Sequence, residues 1–188
     1  MRRFQLDEAV GVLERTPAVL TALLRDLPGG WVTGNEGPGT WSPFDVVGHL
    51  IDGEEEDWIP RTRIILARGD DPHFESFDRT RHLTRNRGET LGTLLDRFTS
   101  LRAANLRTLV GFGLSEEQLS WTAKHPELGR VTLRQHLATW VTHDLDHIVQ
   151  IGRTMARRYG EAVGPWREFI RVLREADLDS GRTGGSVG

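Results

Sequence analysis

The chain has 188 residues, 37% hydrophobic and 27% charged, with a net charge of −3. That is enough for one domain with its own core, and it lacks the basic excess that sequence-independent nucleic-acid binding draws on. With no cysteine, disulfides, thiolate metal ligands and a cysteine nucleophile are all excluded, so a metal here must be held by nitrogen and oxygen. Lys124 is the only lysine among 24 basic residues, a bias read as genomic and not functional. No apolar signal core follows Met1, and no run approaches the ~18 apolar residues of a membrane span, so a cytoplasmic protein without membrane contact is expected.

Helical periodicity dominates, and alternating strand patterns are nearly absent. Leu6, Val10, Leu13, Leu20, Leu24 and Leu27 predict a first helix from about Asp7 to Leu27, kinked at Pro17 and ended by Pro28-Gly29-Gly30. Ser42 is placed to cap the second helix, with Pro43 at its first position, Asp45 completing a capping box, and Trp41 and Val46 spaced as a hydrophobic staple. That helix is expected to reach about Ala67, bent at Pro60. A polar connection from Arg68 to about Arg87 leads to a third helix, Gly88 to Val110, stopped by Gly111-Phe112-Gly113.

Ser115 to Gln118 reads as a capping box for a short helical turn. Thr132, with Gln135 as its box partner, opens a fourth long helix to about Tyr159, and Gly160 terminates it. Gly164-Pro165-Trp166 starts a short fifth helix to about Ala176. The expected architecture is all-α: one four-helix bundle over 1–176 with long connections, a short C-terminal helix, and a Gly/Ser-rich flexible tail over 177–188.

Within the fourth helix, His143-Asp144-Leu145-Asp146-His147 places two imidazoles four residues apart on one face, a spacing that suits a shared divalent ion. Such a pair also occurs as two partly exposed polar residues, so its position around the helix matters. At ~100° per residue, with His143 at zero, His147 lies near ~40°, while the apolar arc through Leu137, Val141, Ile148 and Ile151 spans about 80–160°. The histidines therefore border the core face. Asp144, near ~100°, falls inside that arc and requires a partner, either an arginine or the free N–H of a metal-bound imidazole.

The best third ligand is His49, the only histidine in the capped second helix. Gly53, one turn beyond, leaves space beside a metal, and Glu56, two turns beyond, is a candidate general base, as is Asp144. His136 reads as a pocket wall or surface residue, and His73, His82 and His125 as structural or exposed residues of connections. The tryptophans at 41, 58, 121, 140 and 166 read as packing residues.

At these residues the chain resembles the DinB/YfiT-like superfamily of metal-binding four-helix bundles, which is distinct from the lesion-bypass polymerase sharing the DinB name. The matching pieces are Trp41-Ser42-Pro43 leading to His49-Leu50, Gly129-Arg130-Val131-Thr132-Leu133, the run His143 to Ile151, and Gly164-Pro165-Trp166, in order over roughly Leu6 to Phe169. The resemblance implies that His49, His143 and His147 hold one divalent ion, zinc or nickel, often in a homodimer. It also implies the activities of characterised relatives: transfer or isomerisation with a low-molecular-weight thiol such as bacillithiol or mycothiol, or metal-dependent hydrolysis.

The leading expectation is a thiol S-transferase acting on small electrophiles, with the ion holding the thiolate. The alternatives are a hydrolase using activated water, or a non-catalytic metal-binding, stress-associated bundle.

Overall fold

A computed structural model describes residues 4–174. The tail expected at 177–188 lies outside the described residues, as do positions 1–3, 175 and 176. The molecule is an all-α four-helix bundle. Its four rods are α1 (Leu6–Leu13) continued by α2 (Thr16–Leu24), α4 (Pro43–Glu56) continued by α5 (Trp58–Ala67), α7 (Leu91–Gly111) and α8 (Leu133–Arg157). Short helices α3 (Gly29–Val32) and α6 (His82–Arg85) sit in the connections.

The two helix starts that matter for the site are built as their residues predict. Ser42 Oγ accepts from the Asp45 amide at 3.2 Å, and Asp45 Oδ2 accepts from the Ser42 amide at 2.9 Å. Thr132 and Gln135 form the same reciprocal box at the start of α8. Trp41 and Val46 belong to one apolar cluster, as a staple requires.

Several elements depart from expectation. The first rod is two helices, because Pro17 has no N–H to offer the carbonyl of Leu13 and the ladder breaks there. The second rod breaks at Asp57, three residues before Pro60. The connection before α8 contains a two-stranded antiparallel hairpin, β1 (Thr122–His125) with β2 (Gly129–Thr132), in the register Thr122 to Thr132. Four-residue strands are too short to leave an alternating signature. The expected fifth helix is a 3₁₀ segment, Gly164–Phe169, followed by helical turns over 171–174.

Two apolar clusters make up the core. One gathers Leu13, Trp58, Ile65, Leu106, Leu109, Leu133 and Trp140; the other gathers Leu20, Leu24, Val46, Val47, Leu50, Leu94, Phe98 and Ile151. Between them, at the waist of the bundle, each major rod contributes to a buried polar cluster. Arg102 of α7 binds Asp144 of α8 through both oxygens, at 2.6 and 3.0 Å, and Glu54 Oε1 of α4 at 2.8 and 2.9 Å. Its remaining N–H goes to the Leu13 carbonyl at 2.9 Å, the acceptor orphaned by Pro17. Asp144 thus has a partner, and of the two its position allowed, it is the arginine. Among the described residues no helix is long and apolar enough to cross a membrane.

Candidate metal centre

α4 and α8 pack against each other, which brings His49 to the His143–His147 pair. The Nε2 atoms of His49 and His143 are 3.2 Å apart, and those of His143 and His147 are 3.1 Å apart. Three imidazole nitrogens within 4.8 Å of one another make a ligand set for a metal ion. A tetrahedral ion with nitrogen ligands at about 2.0–2.1 Å sets neighbouring nitrogens about 3.4 Å apart, so the observed spacing fits one small divalent ion. Three nitrogens leave at least one position for a further ligand, the pattern of an open site.

The protonation states agree. Burial lowers His49 to about 2, and the neighbouring His147 and His143 rings push the same way. Burial and then His147 lower His143 to about 3. His147 is also lowered by burial, partly opposed by its hydrogen bond to Gln150. All three are therefore neutral at pH 7 and have lone pairs to give. His147 Nδ1–H donates to Gln150 Oε1 at 2.7 Å, which turns its Nε2 lone pair toward the other two rings.

The cleft above the rings has a volume of about 460 Å³. Its walls are largely aromatic: Trp41 lies 4.7 Å from His49, Phe77 5.8 Å from His49, and Trp58 5.1 Å from His143 between ring centroids, with Phe74 further out. The charged residues lining it are paired, Arg61 with Asp57 at 3.2 Å and Arg79 with Glu127 at 3.6 Å. His136 is a buried wall residue whose Nε2–H donates to the Trp58 carbonyl at 3.0 Å, as befits the pocket-wall reading.

The two carboxylates expected near the site stand elsewhere. Glu56 projects away from the histidine cleft, into a second cavity, where Arg81 holds its Oε1 at 2.6 Å. Asp144 is fully buried behind the histidines and committed to Arg102. The space beside Gly53 is taken by the Trp58 indole, whose Nε1 lies 3.0 Å from where a Cβ would sit.

Two features were not anticipated, the tryptophan walls and the close approach at Gly48. Trp41 and Trp58 wall the cleft besides packing the core. His82, read from sequence as a structural or exposed residue of a connection, is the structural kind: it is buried on α6 with its ring 4.6 Å from Trp41 and 5.5 Å from His49. Gly48 allows that approach, since a Cβ there would meet Asn86 Nδ2 at 2.3 Å. A glycine next to His49 was the available signal.

The family model for the DinB superfamily matches residues 12–151, most of the chain. The chain belongs to the DinB superfamily. Among solved structures it resembles YfiT from Bacillus subtilis, described as a probable metal-dependent hydrolase with an unusual four-helix bundle topology. The TM-score is 0.71 at 24% identity, covering 85% of this chain and 90% of that one. A second four-helix bundle protein, TT2238, aligns over 76% of this chain and 94% of its own, at 24% identity and a TM-score of 0.47. No curated protein sequence matches the chain.

Proposed function

We propose that this DinB-superfamily protein is a metal-dependent enzyme in which His49, His143 and His147 hold one divalent ion, zinc or nickel. The carrying observation is the convergence of three neutral Nε2 atoms, 3.1 and 3.2 Å apart along the set, at the floor of an aromatic cleft. The reaction we infer is transfer of a low-molecular-weight thiol, of the bacillithiol or mycothiol kind, to a small electrophile. When bound, the ion supplies Lewis acidity that lowers the pKa of a thiol or a water at the open position.

The chain's residues favour the thiol. Trp41, Trp58, Phe74 and Phe77 offer apolar faces to a soft electrophile. Of the carboxylates lining the cleft, Asp57 pairs with Arg61 and Glu127 with Arg79, while Glu56 and Asp144 lie outside the lining. Coordination lowers a thiol's pKa far enough for its proton to pass to bulk water, leaving the thiolate on the ion. Hydrolysis is the second reading, supported by the likeness to YfiT, described as a probable metal-dependent hydrolase. A small-molecule substrate, a cytoplasmic location and a homodimer complete the proposal.

Metal analysis of the purified protein, followed by incubation with several thiols and a generic electrophile, tests it. Thiol conjugation that requires the metal and vanishes in His147→Ala is the expected result. Conjugation that survives this change overturns the mechanism, and metal-dependent ester hydrolysis without thiol selects the second reading.

A further inference from the structure

We propose that the buried Arg102–Glu54–Asp144 cluster is a fixed negative counter-charge for the cation held by the three imidazoles, with Glu54 and Asp144 as positioning residues that govern how tightly the ion is retained. The inference rests on the metal-centre reading above.

Three observations carry it. First, the cluster holds two carboxylates against one guanidinium, with side chains 1% exposed for Arg102 and 0% for Glu54 and Asp144. Every polar contact of the Glu54 carboxylate oxygens comes from a donor: Arg102 Nε and Nη2, Asn105 Nδ2 at 2.9 Å and Trp140 Nε1 at 3.1 Å. Burial and the neighbouring Asp144 raise its pKa, opposed by Arg102 and Asn105; it is the geometry that is built for the ionised form, because every contact presents a donor and none an acceptor for a carboxyl O–H. The cluster therefore carries one negative charge in excess.

Second, the cluster stands directly behind the histidines. Asp144 adjoins His143 in the chain, and Trp140, which donates to Glu54, stacks at 5.5 Å on Trp58, itself 5.1 Å from the His143 ring. Third, the other charged side chains lining the cleft are matched, Asp57 with Arg61 and Glu127 with Arg79, so they do not offset a dication.

Three neutral imidazoles supply no charge to a divalent ion in a half-enclosed site, where opposite charge is felt strongly. A carboxylate surplus locked one layer away answers that demand without occupying a coordination position. It also explains why an acidic pair is kept at the waist of an otherwise apolar bundle.

The test compares wild type, Glu54→Gln, Asp144→Asn and Glu54→Asp, with Asp96→Asn as a surface control whose carboxylate pairs with Arg25. Zinc affinity is read by competition with a chromogenic chelator, and unfolding midpoints are taken with and without zinc. Glu54→Gln is expected to weaken zinc binding about 10- to 100-fold, the range for outer-shell partners of metal ligands. Glu54→Asp, which keeps the charge, should stay closer to wild type, and Asp96→Asn should match it.

Should Glu54→Gln not fold, Asp144→Asn removes the same charge from the other rod and carries the comparison. A Glu54→Gln affinity within about twofold of a zinc-binding wild type overturns the proposal and leaves the metal centre standing. Equal losses of stability with and without zinc overturn it too, because they are the mark of a purely structural role. A wild type that binds no zinc or nickel overturns both.

Discussion

Gln150 accepts the Nδ1–H of His147 one turn further along α8, at 2.7 Å. The bond fixes the tautomer of one ligand from within the same helix, so the donor set is oriented before any ion arrives. Gln150→Ala should therefore weaken zinc or nickel binding about tenfold or more while leaving the helical circular dichroism unchanged. Chelator competition on the purified variant measures this; an unaltered affinity would mean the ring is positioned by packing alone.

The close approach of α6 behind His49 depends on Gly48. A Cβ there would stand 2.3 Å from Asn86 Nδ2 and 3.1 Å from His82 Cβ, and both neighbours are buried. Gly48→Ala is expected to cost about 1–3 kcal/mol, the usual penalty of overpacking, despite the better helix propensity of alanine. Urea denaturation measures it, and a stabilised variant would show that α6 is free to move.

Arg102 is the reverse case, a charge whose removal strands its partners. Arg102→Met would leave Glu54 and Asp144 facing each other in the core and the Leu13 carbonyl without its donor. A loss of about 3–5 kcal/mol is expected, enough to unfold many domains of this size. Expression level and thermal melting of the variant check the size of the effect.

These residues also show how much of the molecule is legible in the chain alone. Ser42 with Asp45 and Thr132 with Gln135 announce the two helices that carry the ligands, because capping is a local hydrogen-bond problem solved within four residues. The histidine pair and the need of Asp144 for a partner follow from helical spacing alone. What stays hidden depends on contacts between elements. Glu56 has the right angular position beside His49 but stands two turns away, and Arg81 from the start of α6 claims it. The hairpin β1–β2 is stabilised by pairing and not by its own periodicity. Trp58 turns from packing residue to cleft wall only because the rod breaks at Asp57 and Gly53 makes room for its indole.

Acid sensitivity of the metal-free protein has a contribution from the fold beside that of the site histidines. Burial lowers His136 to about 4, whereas in the unfolded chain it protonates near ~6.5. Between those values the unfolded state binds more protons, so stability falls as pH drops below about 6.5 and is unaffected above it. The metal-free protein should lose stability from pH 7 to pH 5, and His136→Gln should reduce that loss by about 2 kcal/mol at pH 5. Urea midpoints at the two pH values test it; parallel profiles for wild type and variant would place the proton elsewhere.

The most direct test is metal content and affinity of the purified wild type beside His49→Ala, with circular dichroism recorded before and after chelation. One divalent ion per chain, lost from the variant while both proteins remain helical, is the expected outcome. Equal metal binding by the two proteins would contradict a site built from both α4 and α8, and collapse of the helical signal on chelation would make the ion a structural support.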